Sequence, residues 1–279
     1  MRKIRYKKVR RAKLINTGEL EYIIELALVS GWIKNAEPLS LIISSKVGAG
    51  KTEIIEQYRK VKGVAWLSEA TAYGIKSQYL ADIKGRNIRH LLIGDLLSPL
   101  SKQKHTRDDF VSFMNQLMEE GVSSIHTYAQ HWDSKKPVRC GLITTIAMPD
   151  FLRKSRRWFE MGFLSRAVPL SYSYSKSTEV KIYRAIARAD SLRRIPEKTV
   201  QLPEKPVRIV PNKKVNLKII ELSMELGEAE NVYGFRRQKQ LQTLLMANAL
   251  KNKRNRVTEE DESRILELSE YINLRFNSI

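Results

Sequence analysis

Cysteine is nearly missing from this 279-residue chain. Cys140 stands alone, so neither a disulfide framework nor a cysteine-based zinc site can be built. Histidine is scarce too, at four residues, and His126 and His131 have no cysteine or acid at ligand spacing, so no zinc is expected. No apolar run approaches the ~20 residues of a membrane span. The opening Met1-Arg2-Lys3-Ile4-Arg5 lacks the apolar core of a secretion signal. These absences point to a reducing, cytoplasmic compartment, nucleoid-associated or in a host cytoplasm for a viral protein, and to no membrane partner. Acids are the minority charge: 30 Asp and Glu face 50 Lys and Arg, a formal balance of +20. Such an excess favours a polyanion, nucleic acid before an anionic membrane, although a lysine-rich proteome would produce the same sum. There is no internal repeat.

Apolar sequence is well supplied, at 42 % of residues, enough for a core in one large or two modest domains. The stretch richest in chemistry is Ser44-Ser45-Lys46-Val47-Gly48-Ala49-Gly50-Lys51-Thr52. A β-like run, Leu39 to Ile43, enters it, and a helix-like run, Glu53 to Tyr58, leaves it. Strand, small-residue loop, Lys-Thr and helix is the layout of a phosphate-binding P-loop. Loop amides and the helix N-terminus point at an anion, Lys51 adds a full charge, and Thr52 offers a hydroxyl to Mg²⁺. Ser45 takes the place of the usual first Gly, where the turn tolerates a small residue. A chance Gly-Lys-Thr in a surface loop would need neither flank. Ser45, Gly48, Ala49, Gly50, Lys51 and Thr52 are therefore the expected nucleotide contacts.

Residues 1–15 form a basic arm, a solvated tail or a nucleic-acid contact. A leading helix spans 17–33, with Leu20, Ile23, Ile24, Ala27 and Leu28 at helical spacing and Glu19 and Glu21 in its first turn. Gly63 to Leu67 and Ile88 to Gly94 are strand candidates. Thr106-Arg107-Asp108-Asp109 resembles a capping-box helix start, with Phe110, Phe113, Met114, Leu117 and Met118 on one face and Gly121 at the end. Val122 to Tyr128 and Val138 to Ile146 read as a hairpin around a polar tip, His131 to Pro137. A further strand, Ala167 to Ser173, and an Arg- and Lys-rich helix, 176–194, follow. Strands alternating with helices imply an α/β fold over 16–194 with a mostly parallel sheet. Pro196, Pro203, Pro206 and Pro211 mark an extended linker, 195–215, and helical patterns fill a small closing domain, 216–279. Its last helix begins at Thr258-Glu259-Glu260-Asp261, another capping box.

A nucleotide site needs a carboxylate for Mg²⁺ at a neighbouring strand end, and Asp95, after Leu91-Leu92-Ile93-Gly94, fits a Walker B position. The water-activating acid does not follow it, because Leu96 is next; Glu69, Glu119 and Glu120 are the candidates. The hairpin mixes cations with stacking surfaces. His131, Trp132, Lys135 and Lys136 are its expected DNA contacts, the lysines neutralising phosphates without reading bases.

The order of these motifs resembles the AAA+ ATPases, and within them the minichromosome maintenance replicative helicases and their phage and plasmid relatives. Leu117 to Ile125 is similar to the helix and strand before that family's pre-sensor hairpin, and Cys140 to Pro149 to its sensor 1 strand. Leu164-Ser165-Arg166 resembles the arginine-finger motif. Gly234-Phe235-Arg236-Arg237 to Ala249 resembles the lid helix carrying the sensor 2 arginine, and Val257 to Asp261 the start of the final lid helix. The resemblance covers about 40–275. Three positions depart from the pattern: Ser45 for Gly, Leu96 for the acid, and Met148 for the sensor Asn, which leaves Thr144 or Thr145 for that role. No counterpart of the family's large N-terminal DNA-binding domain is read in these 279 residues, so a minimal, ATPase-only relative is expected.

The resemblance implies a three-layer sandwich with a helical lid, ATP and Mg²⁺ as cofactors, and a homo-oligomeric ring or spiral, commonly a hexamer. Arg166 would reach the γ-phosphate on a neighbouring subunit, and Arg236, or Arg237 beside it, would contact that nucleotide from the lid. The expected activity is an ATP-dependent DNA motor or remodeller, helicase-like, in replication or mobile-element maintenance, with replication proteins as possible partners. A nucleotide-switched DNA-binding or loader protein with slow turnover is the alternative. A protein-remodelling chaperone is disfavoured by the basic arm and by the lack of an apolar-aromatic pore loop.

Overall fold

The computed structural model describes residues 14–127, 130–188 and 197–272. The expected arm, apart from residues 14 and 15, lies outside them, as do Tyr128, the last residues of the 176–194 helix and the first of the linker.

Five strands form one parallel sheet: β1 (Leu41–Ser45), β2 (Val64–Leu67), β3 (His90–Ile93), β6 (Gly141–Ala147) and β7 (Val168–Ser171). Their spatial order is β2-β3-β6-β1-β7, so β1 lies between β6 and β7. Pro169 sits in β7, an edge strand, where a missing N–H is tolerated. Side chains alternate between two cores. Leu41 and Ile43 of β1, Leu92 of β3 and Ile143 of β6 face one; Ile42, Leu91, Ile93 and Leu142 face the other. Burial on both faces explains why these strands read as unbroken apolar runs.

Helices cover both faces, compatible with a three-layer α/β sandwich. The first core collects α1 (Gly18–Ser30), α2 (Lys51–Glu56) and the C-terminal helices introduced below. The second takes α3 (Ala72–Gln78), α4 (Leu80–Lys84), α5 (Leu97–Leu100), α6 (Lys104–Asn115) and α7 (Met148–Glu160). Helix α1 matches the periodicity, with Leu20, Ile23, Ile24, Ala27 and Leu28 all buried. Helix α6 starts at Lys104, two residues before the proposed capping box, after Gln103 and without a side-chain cap, because the Phe110–Met114 stripe rather than a cap sets it against the core. It runs into a π-helical turn, Gln116–Glu120, which Gly121 ends at φ +85°.

The hairpin differs from the sequence reading. Strands β4 (Val122–Thr127) and β5 (Gln130–Val138) pair antiparallel, so His131 to Pro137 lie within a strand and not at the hairpin tip. The run after Val138 is not the hairpin partner; it becomes central strand β6. β5 looks like a loop in sequence because most of it faces solvent, with Val138 buried and Trp132 half-buried. Pairing is irregular between Val122 and Ser124, which leaves Pro137 outside the regular register.

Helix α8 (Lys176–Ala187) follows β7. The proline-rich segment from 197 is extended but docked: Val207 N–H donates to Trp32 O at 2.8 Å, Lys34 N–H to Val207 O at 2.8 Å, and Ile209 is fully buried. Then come α9 (Lys213–Lys218), α10 (Ile220–Ala229), α11 (Phe235–Lys251) and α12 (Glu259–Leu268). The capping box expected at α12 is present, with the Thr258 and Asp261 side chains reciprocally bonded. No described helix is long and apolar enough to cross a membrane.

Candidate functional site

β1, β6 and β3 are neighbours, and their carboxyl ends bring Lys51, Thr145 and Asp95 to one edge of the sheet, where ligands of open α/β sheets bind. The loop after β1 turns through Gly48 (φ +76°) and Gly50 (φ +74°), a left-handed region that penalises any side chain. A Cβ at Gly48 would meet nothing within 4 Å, so backbone conformation, not crowding, requires that glycine. Lys51 Nζ donates to Lys46 O at 2.8 Å and Ser45 O at 3.3 Å, folding the ammonium over the loop. Burial lowers its pKa from the ordinary lysine value, opposed by the charges of Asp95 and Glu53.

One carbonyl ties the edge together. Gly94 O accepts the Thr145 hydroxyl at 2.6 Å and the Thr52 hydroxyl at 3.3 Å, and Leu96 N–H returns to Thr145 O at 2.8 Å. Thr145, not Thr144, therefore faces this edge; the Thr144 hydroxyl is buried without a partner on the opposite side of the pleat. Asp95 is exposed and accepts Leu97 N–H at 2.9 Å through Oδ1. Leu96 is fully buried in the second core, so an acid could not stand there without a large desolvation penalty. Ser45 Oγ binds Tyr172 O at 2.7 Å, and the hydroxyls of Tyr172 and Tyr174 both donate to Ala49 O, at 2.8 and 2.9 Å. Sequence reasoning missed these two tyrosines, which pin the loop from the end of β7; only their position just after a strand could have flagged them.

Glu119, Glu120, Arg166 and Arg236 gather elsewhere. They lie by the amino ends of the strands, beside residues 35–40 that lead into β1. β1 is five residues long, so the two edges are separated by roughly 17 Å at 3.3–3.4 Å per residue. Arg166 contacts Glu119 (Nε to Oε2, 3.0 Å, at ion-pair distance but not aligned as a hydrogen bond), Glu120, and Gly162 O at 2.7 Å. A Cβ on Gly162 would come within 2.6 Å of the Arg166 guanidinium, and its φ of +70° also demands glycine. Burial pushes the Glu120 carboxyl up, but the hydrogen bond and charge of Arg166 leave it below its ordinary value. Arg236 Nε binds Glu119 at 2.9 Å, and its NH1 donates to Ser165 Oγ at 2.9 Å. Arg237 offers nothing to a ligand: it is 2 % exposed, with its guanidinium bound by Glu230 and by backbone oxygens.

Of the three candidate acids, only Glu69, following β2, shares the Lys51 edge, and there it is exposed and paired with Lys102. In the hairpin, His131, Lys135 and Lys136 are exposed, while Trp132 packs against the second core with Lys84 Nζ 5.4 Å from its ring centre. His126 bridges His131 (3.3 Å) and Asp133 (3.0 Å), yet no group of three or more His, Cys, Asp or Glu suited to a metal exists among the described residues. A scan against protein-family models found no match, and a search of curated proteins found none either.

Proposed function

We propose that the chain is an AAA+-like ATPase that assembles on DNA, with each nucleotide site shared between two copies. One observation carries the proposal: the Thr52 and Thr145 hydroxyls meet on the Gly94 carbonyl at the sheet edge that also holds Lys51 and Asp95, while Arg166 and Arg236 stand together at the other. The glycine loop and Lys51 would hold the phosphates of ATP. Thr52 and Asp95 supply the few hard oxygen donors that suit Mg²⁺, which takes most of its remaining ligands from phosphate and water. When bound, Mg²⁺ neutralises charge on the terminal phosphates. The helices from 213 to 272 act as the lid. The exposed His131, Lys135 and Lys136, with Trp132 at their base, meet the DNA.

The test is ATP turnover by wild type and Lys51→Ala, with and without DNA. Turnover stimulated by DNA and abolished by Lys51→Ala is the expected result; turnover that Lys51→Ala leaves intact would overturn the reading. Leu96 in the core and Glu119 and Glu120 at the far edge favour one second reading, a nucleotide-switched loader. It predicts ATP-dependent DNA binding with turnover at background.

The tyrosine pair makes a separate prediction. Tyr172→Phe with Tyr174→Phe removes both donors to Ala49 O, at ~1 kcal/mol each. Nucleotide affinity should fall by about tenfold or more in a titration with a fluorescent ATP analogue, while far-UV circular dichroism stays unchanged.

A further inference from the structure

A cleft of about 280 Å³ opens by the amino ends of β3 and β6, between α4, the hairpin base and the segment after α1. Six cations line it, Lys34, Lys84, Arg86, Arg89, Lys136 and Arg139, against one acid, Glu37. Two are already committed: Arg139 pairs with Glu37 at 3.2 Å, and Lys84 donates to Asp133 O at 2.8 Å. Lys34, Arg86 and Lys136 have no side-chain partner among the described residues.

Arg89 is the unusual member. Its side chain is nine-tenths buried, its guanidinium lies 4.0 Å from the Trp32 ring centre, and NH1 donates to Gly31 O at 2.6 Å. Its Nε is buried with no partner, and no carboxylate pairs with it among the described residues. Gly31 and Gly63 both press against its stem; a Cβ on Gly31 would lie 3.1 Å from Arg89 Cβ. A buried cation without a counter-charge is costly, and a second arginine, Arg86, lines the same cleft. An anion supplied from outside resolves both problems.

We propose that this cleft binds a phosphate group, and that the phosphate belongs to the backbone of a nucleic acid. Its lysines and arginines suit phosphate oxygens, and with no Asn or Gln in the lining it lacks the amide forks that read adenine. Ser134 and Lys136 of its wall belong to β5, so a strand passing Lys135 continues into the cleft. The inference deepens the nucleic-acid part of the proposed function and does not depend on the Lys51 loop.

The probe is a labelled DNA oligonucleotide, its affinity for the full chain followed by anisotropy across a salt series. All proteins carry Lys51→Ala, so that the glycine loop takes up little phosphate. Adding Lys34→Gln and Arg86→Asn should weaken binding several-fold at low salt and make the log K against log salt slope shallower by about one per cation removed. Asn suits position 86, where φ is +61°. Lys34→Arg should keep the parent slope, which separates charge from folding. An unchanged slope and affinity in the double variant would overturn the nucleic-acid assignment. A second arm melts the same proteins in millimolar inorganic phosphate: stabilisation lost in the double variant with the DNA slope unchanged would assign the cleft to free phosphate. Absence of both effects ends the proposal. With Lys51 restored, ATP turnover without DNA should be the same with and without the two substitutions. A chain that fails to hydrolyse ATP but shows the slope change loses the ATPase reading and keeps this one.

Discussion

Arg166→Ala should lower ATP turnover by on the order of 10³ while leaving nucleotide affinity nearly unchanged, and mixing it with Lys51→Ala should restore activity. Lys51 lies at the carboxyl edge of the sheet and Arg166 just before β7 at the amino edge, roughly 17 Å away over five residues of β1. Within one chain the two cannot meet over a phosphate, so under the proposed function Arg166 would serve the nucleotide of a neighbouring copy arranged head to tail. In an equal mixture, about a quarter of such interfaces join an intact Lys51 edge to an intact Arg166 edge. Either variant alone has none. A mixture as inactive as its parts would sink the shared site. Arg166→Lys separates charge from shape: Lys cannot reproduce the fork that Arg166 offers to Glu119 and Glu120, and it should recover little.

Helix α1, the loop after β1 and the strand that leads to Asp95 rest on local patterns, and the structure follows them. Leu96 can be noticed as a missing acid, but not as a core residue, because its burial depends on the second core assembling around it. The hairpin is hidden in the sequence for a physical reason. A strand exposed over most of its length has no apolar alternation, so His131 to Pro137 resembles a turn. The gathering of Glu119, Glu120, Arg166 and Arg236 is invisible in sequence because it joins residues up to 117 positions apart. Conversely, two adjacent arginines, Arg236 and Arg237, look interchangeable until one is found half-buried beside Glu119 and the other fully buried.

That buried arginine yields the largest expected change in stability. Arg237 and Glu230 form a two-pronged ion pair, Nε to Oε1 at 2.8 Å and NH2 to Oε2 at 2.7 Å, with side chains 2 % and 1 % exposed. NH1 also donates to Ala167 O at 2.6 Å, which fastens α11 to the segment before β7. Glu230→Gln should therefore cost about 3–5 kcal/mol in a urea melt, because it strands a buried guanidinium. Replacing both partners with Met should recover most of that loss. Burial raises the Glu230 carboxyl above its ordinary value despite the Arg237 charge beside it. The folded state thus holds that proton more tightly than the unfolded chain, and this group's contribution to stability falls as pH rises from the ordinary carboxylate value through the raised one. The ionised pair is thus a poor source of net stability and a good device for position. It holds the start of α11 so that Arg236, one residue earlier, reaches Ser165 and Glu119 next to Arg166. The double Met variant should consequently be nearly as stable as wild type yet slower in ATP turnover, a split that a purely structural pair would not produce.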